Sequence, residues 1–182
     1  MTTDLSSYNN NWYQPGSAAR RACWYLLSLL FFKPSFLPFY GLKVFLLRSF
    51  GARVGKGLII KPGVQVKYPW MLQVGDHCWL GEKVWIDNLA PVTIGDHVCI
   101  SQGALLLCGN HDYSKAGFDL MVKPITLENG VWIGARSIVC PGVHCATHAV
   151  LTAGSVATSS LDPFSVYQGN PAQLVKKRTI SA

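Results

Sequence analysis

From residue 54 onward the aliphatic positions fall every six residues. Val54, Ile60, Val66 and Leu72 make one run. After a two-residue slip come Val74, Leu80, Ile86 and Val92, and after a second slip come Ile94, Ile100 and Leu106. A longer break follows, and the pattern resumes at Leu127, Ile133, Val139, Cys145 and Leu151. Both slips lead into the same phrase, Val74-Gly75-Asp76-His77 and Ile94-Gly95-Asp96-His97. A helix repeats near 3.6 and a half-buried strand at 2, so a six-residue period predicts neither as the dominant element. It predicts an all-β solenoid in which each hexad is a short strand and a corner, and three hexads close one triangular turn. The aliphatic residue points inward, and the following position is often small, as at Gly75, Gly81, Gly95 and Gly134. The fifth position (Val84, Val98, Ala104, Ser137, Val143, Ala149, Ser155) fills space beside the core. A β-sandwich would instead show strict alternation with turns every 8–12 residues or so.

The chain before the repeat, residues 1–53, reads as an arm. Residues 24–32 form an apolar run, WYLLSLLFF, closed by Lys33-Pro34 and followed by an interruption at Pro38. The run is shorter than the roughly 18 residues of a spanning helix, and it starts too late for a signal peptide. Two readings stand: a helical arm that packs on the solenoid and caps its open end, or a peripheral membrane contact through residues 20–48. In the second, Arg20, Arg21, Lys33, Lys43 and Arg48 face lipid phosphates. The solenoid itself spans 54–160, and the tail, 161–182, is expected to cover its other end, because open strand edges need cover.

Composition narrows the class. With 49% hydrophobic and 14% charged residues, the 182-residue chain is a folded domain and not a disordered one. The net charge of +7 favours an anionic partner, but the charge is not blocked together, so nucleic acid is not expected. Six cysteines at 23, 78, 99, 108, 140 and 145 form no C-x-x-C and read as small buried hydrophobes in a reduced, cytoplasmic setting.

The break in the repeat, residues 110–124, must project from the solenoid, and projecting loops on rigid scaffolds are where chemistry concentrates. It carries His111, whose imidazole suits the removal of a proton from a hydroxyl at neutral pH. Its tautomer needs fixing by a backbone carbonyl or an acidic residue. Asp87 and Asn88 interrupt an apolar strand just before Pro91 and read either as contacts for acceptor hydroxyls or as a plain turn. Asp112 and Tyr113 adjoin His111 and are further candidates to line an acceptor cleft.

Several phrases resemble the hexapeptide-repeat acyltransferases. Residues 133–143, IGARSIVCPGV, are similar to their signature, as are Ala153-Gly154-Ser155-Val156 and Gly169-Asn170-Pro171-Ala172. Within the family the chain looks like the colanic-acid-biosynthesis type of O-acetyltransferase, through Lys67-Tyr68-Pro69-Trp70, residues 85–91 (WIDNLAP), residues 100–104 (ISQGA) and residues 109–113 (GNHDY). The likeness includes the opening, residues 5–16. It implies a left-handed coil, a homotrimer with active sites between subunits, acetyl-CoA as co-substrate, a carbohydrate acceptor and His111 as catalytic base. It also implies a pantetheine groove past Trp132, Gly134 and Ala135 and past Ala153 and Gly154. CoA phosphates would be gripped near Thr158; the basic cluster Lys176, Lys177 and Arg178 near the C-terminal coils reads either as a further phosphate grip or as a solubilising tail. Two positions depart from the family pattern: Ser159 and Gln173 stand where a basic residue is usual, which implies either a weaker phosphate grip or one shifted onto that cluster.

Rival functions are weaker. A carbonic-anhydrase-type metalloenzyme on the same fold needs three ordered ligands, and His77, His97, His111, His144 and His148 do not supply that order. No metal is expected. A non-catalytic membrane or scaffold module is suggested by the arm alone. Residues 51–57 lack the spacing of a phosphate-binding loop, and no G-x-S-x-G elbow is present.

Overall fold

The computed structural model describes residues 2–34 and 39–181; Pro38 lies outside the described residues. The solenoid is a left-handed parallel β-helix with three faces. The first face stacks Arg53–Val54, Leu72–Val74, Val92–Ile94, Ile125–Leu127 and His144–Cys145. The second stacks Ile59–Ile60, Trp79–Leu80, Cys99–Ile100, Trp132–Ile133 and Val150–Leu151, and the third runs from Gln65–Val66 to Val156–Ala157. The pairing register repeats the sequence period: Val54 pairs with Val74, Val74 with Ile94, Ile94 with Leu127 and Leu127 with Cys145. The inward aliphatics, Ile60 to Leu151, are buried in one continuous core, and the fifth-position residues are buried beside them.

The Gly-Asp-His phrases are corners that stack. Asp76 Oδ1 accepts from the Lys56 amide at 2.8 Å, Asp96 Oδ1 from the Asp76 amide at 2.7 Å, and Asn129 Oδ1 from the Asp96 amide at 2.8 Å. Each side chain satisfies the corner amide of the coil before it. His77 and His97 follow at positive φ, exposed, with their rings stacked 5.4 Å apart.

The arm is helical and packs on the first coil. Helix α1, Ala18–Phe31, starts at Ser17, whose hydroxyl caps the Arg20 amide. Helix α2 is Tyr40–Ser49. Trp24, Phe32 and Leu47 are buried over the open end, and the Trp24 indole donates to the Val66 carbonyl at 2.8 Å. Three of the five cations expected to face lipid are turned elsewhere. Arg20 lies over the Trp70 ring at 4.2 Å and donates to the Phe50 carbonyl, Arg48 donates to the Val54 and Gly55 carbonyls, and Lys43 is buried. Main-chain carbonyls left open at the ends of α2 and the first strand take these guanidinium groups. No helix among the described residues is long and apolar enough to cross a membrane.

At the other end Ser165–Gly169 adds a parallel strand beside Val150–Leu151, and Ala172–Lys177 returns antiparallel to it. The tail thus extends the second face by two strands.

Candidate active site

Every departure from the strict hexad falls at one corner, between the third face and the first. The first slip makes the turn at Pro69–Met71, the second follows Trp85–Asp87, and the long break leaves after Leu105–Leu107. One edge of the prism therefore collects residues 67–71, 88–91 and 108–124.

The edge is held from within. The Asn88 side chain is buried and pairs with Tyr68 like a strand: its amide donates to the Tyr68 carbonyl at 2.6 Å and its oxygen accepts from the Tyr68 amide at 3.0 Å. Beside it Asp87 is buried, with its carboxylate 2.8 Å from the Lys67 ammonium. The Tyr13 hydroxyl donates to the Leu89 carbonyl at 2.6 Å; burial, with the nearby Tyr68 and Asp87, pushes its pKa well above the usual tyrosine value, so it remains a donor.

The break itself is a hairpin. Gly109–His111 pairs antiparallel with Leu120–Val122, which sets His111 opposite Leu120. Phe118 sits at φ 52°, and this left-handed turn aims its carbonyl at His111 Nδ1, 2.8 Å away. A carbonyl only accepts, so Nδ1 carries a proton, and in the neutral ring the lone pair is on Nε2. The Phe118 ring stacks on the imidazole at 4.4 Å, and the Tyr8 ring lies tilted 5.7 Å from it. The N-terminal segment is tied to the hairpin by the Asp4 amide, which donates to the Ala116 carbonyl at 2.9 Å. A polar cleft of about 440 Å³ opens here, lined by Tyr8, Tyr13, Arg21, Lys67, Tyr68 and Leu120.

The residues singled out from sequence sort by place. Asp87 and Asn88 stand at this edge, Asn88 with both polar atoms engaged. Asp112 accepts from the Ser114 amide and hydroxyl, which holds its carboxyl below the usual range. Tyr113 is at the exposed hairpin tip. Trp132, Gly134, Ala135, Ala153 and Gly154 belong to another edge, between the second and third faces. There the Trp132 indole donates to the Ser101 hydroxyl at 2.9 Å, and the Gly154 amide donates to the Ala135 carbonyl at 2.8 Å. Thr158 is exposed at the corner that follows the third-face strand Val156–Ala157. Of the basic cluster, Arg178 donates to the Gly130 and His148 carbonyls and Lys177 to the Ser165 hydroxyl, which leaves Lys176 exposed and without a polar partner among the described residues. Sequence reasoning passed over Tyr8, Tyr13, Arg21 and Phe118 as site residues. A usable signal for the two tyrosines was the family-like opening at residues 5–16. Among the described residues no three His, Cys, Asp or Glu side chains gather as a metal site.

No protein-family profile matches the chain. It is 35% identical over 176 residues to the provisionally named colanic acid biosynthesis acetyltransferase WcaF of Escherichia coli K12, covering 96% of this chain and 97% of that protein. It is 30% identical over 136 residues to the galactoside O-acetyltransferase of the same organism, covering 72% of this chain and 66% of that one. Among solved structures, the hexapeptide-repeat acetyltransferase VCA0836 of Vibrio cholerae, complexed with acetyl-CoA, superposes with a TM-score of 0.81 at 25% identity, over 92% of this chain and 93% of that one.

Proposed function

The chain belongs to the hexapeptide-repeat acetyltransferases and is an enzyme of acetyl-CoA-dependent acyl transfer; from that premise we propose that its acceptor is a sugar hydroxyl, acetylated during assembly of a surface polysaccharide. The observation that carries the reading is His111, its Nδ1 held by the Phe118 carbonyl and its ring next to Tyr8 and Leu120, which line the polar cleft. In this reading Nε2 takes the proton from the sugar hydroxyl as the oxygen attacks the thioester carbonyl. The tetrahedral oxyanion is met by main-chain N–H groups, and it collapses with loss of the CoA thiolate, which takes up a proton. No serine or cysteine nucleophile takes part. The relatives that act on galactosides and in colanic acid biosynthesis support a carbohydrate acceptor.

The working unit in this proposal is a homotrimer. His111 stands on one edge of the prism, whereas Trp132, Gly134, Ala135, Ala153 and Gly154 stand on another. A neighbouring copy would bring its second edge to the hairpin of the first and complete the site, with Lys176 and the exposed Thr158 toward the CoA phosphates. Exposed Leu26, Leu30 and Phe45 on the outer flank of the arm favour peripheral contact with the inner face of a membrane, which pelleting with anionic vesicles tests.

Release of free thiol from acetyl-CoA across a panel of sugars tests the reaction. His111→Ala is expected to lose at least about 100-fold in turnover. Unchanged turnover removes His111 from this role.

A further inference from the structure

The chain carries its charge unevenly. Between residues 5 and 75 stand nine Lys and Arg and no Asp or Glu. Several of those cations are engaged within the fold: Arg20 and Arg48 on carbonyls, Lys67 on Asp87, Lys43 in the core. Arg21 and Lys33 are exposed, and neither has an acidic partner among the described residues.

Both face one groove of about 420 Å³ between α1 and the third face of the solenoid. Tyr25, Tyr68 and Trp85 wall it, and the Lys33 ammonium lies 5.9 Å over the Tyr25 ring. Arg21, Lys67 and Tyr68 line this groove and also the cleft closed by Tyr8 beside His111. The two spaces therefore adjoin at these three residues, and among the described residues no carboxylate lines either of them.

We infer that this groove binds a diphosphate carried by the acceptor sugar, so that acetylation occurs while the sugar is still on an activated carrier. The inference rests on the sugar O-acetyltransferase reading above and names its substrate class. Arg21, Lys33 and Lys67 supply three cations against the one carboxylate of Asp87, an excess of about two charges. A diphosphate ester matches that excess, and a single carboxylate does not. The Arg21 fork presents paired N–H donors to phosphate oxygens, and the aromatic walls take the apolar part of the carrier, whether a nucleotide base or an isoprenoid chain. The sugar then reaches from the groove to His111 past Lys67 and Tyr68.

Calorimetric titration of the full chain, first saturated with CoA so that its own phosphate site is filled, tests the groove. The probes are pyrophosphate, UDP, farnesyl diphosphate and glucuronate. Pyrophosphate and at least one carrier diphosphate are expected to bind, with affinity falling as salt rises. Arg21→Gln with Lys33→Gln is expected to weaken them at least about 10-fold while CoA affinity stays at the wild-type value, which also reports an intact fold. Arg21→Lys keeps most of the binding. A preference for UDP or for farnesyl diphosphate identifies the carrier, and either order supports the site. No binding to the CoA-saturated protein, equal binding by the double variant, or glucuronate binding as tight as pyrophosphate overturns it. Failure of the wild type to bind CoA would instead sink the acetyltransferase reading, while the anion titration still reads the groove.

Discussion

His111 Nδ1 lies 2.8 Å from the main-chain carbonyl of Phe118, and the two rings stack 4.4 Å apart within 8° of parallel. One residue thus fixes both the tautomer and the plane of the imidazole. Phe118→Ala removes the stacking and leaves the carbonyl, so a partial loss is expected. The turnover number should fall about 3- to 30-fold, below the loss for removing the base itself. KM for acetyl-CoA should stay within about 2-fold, because the phenyl ring lies on the edge proposed for the acceptor and away from Trp132 and Gly134. Steady-state kinetics on both substrates separates this from general unfolding, which would lower active enzyme without changing either KM.

Asn88 is expected to act through stability. Its side chain is buried and its two hydrogen bonds to Tyr68 are part-buried, and Asn88→Ala leaves both main-chain groups of Tyr68 without this partner. A loss of about 1–3 kcal/mol follows from two part-buried groups that water can partly satisfy. Thermal unfolding should drop accordingly, by about 2–4 °C per kcal/mol for a chain of this size. A wild-type melting temperature would contradict the assignment of Asn88 to the wall of the site.

The contrast between Asn88 and Phe118 marks what the sequence could say. The hexad spacing gave the coils, their register and the core, because burial enforces one inward aliphatic residue per strand, and stacking propagates any error. The two slips and the break were visible as interruptions, but their convergence on one edge emerges only when coils of 20 and 18 residues are wound around the same axis. His111 was legible from its place in the break. Phe118 was not: its role rests on a carbonyl aimed by a positive φ, and a phenylalanine gives no hint of that in sequence. Asn88 drew notice as a polar residue in an apolar strand, and its pairing partner Tyr68 lies 20 residues away. Arg178 looked like a phosphate ligand because charge is visible in sequence and the carbonyls that engage it are not.

Glycines at the other edge differ in what they tolerate. A Cβ on Gly134 would stand 2.5 Å from the Ala153 nitrogen and 2.6 Å from the Thr152 carbonyl carbon, both main chain of the next coil. At Gly154 it would meet nothing within 4 Å, though φ is +70°. Gly154→Ala should cost about 1–2 kcal/mol, the strain of a left-handed residue. Gly134→Ala should cost more, about 3 kcal/mol, since two coils must separate. Denaturant midpoints for the pair check the order, and equal midpoints would refute the stacked contact.

The basic tail predicts a division of labour. Arg178→Ala breaks two hydrogen bonds from one guanidinium to the Gly130 and His148 carbonyls, so stability should fall by about 1–3 kcal/mol. Lys176→Ala touches no such contact and should leave the melting temperature within about 1 °C. It should weaken CoA about 3- to 10-fold and dephospho-CoA less, if Lys176 meets the ribose phosphate. Titration with the two ligands reads this directly.

Lys43 is the charged residue buried most deeply. Its ammonium finds no hydrogen-bond partner among the described residues and lies 6.0 Å from the Phe32 ring centre. Burial lowers its pKa from the ordinary value of 10.5. With the folded value below the unfolded one, the unfolded chain binds the proton more tightly, so stability rises with pH across that interval. It is lost as pH falls from about 10.5 toward the lowered value, and is flat below it. Lys43→Met keeps the length of the side chain and removes the buried amine. It should raise stability by about 1–3 kcal/mol at neutral pH and flatten the alkaline rise. Melting curves of both proteins between neutral pH and pH 10 measure this. A variant less stable than the wild type at every pH would show that the ammonium is solvated or paired in the native state.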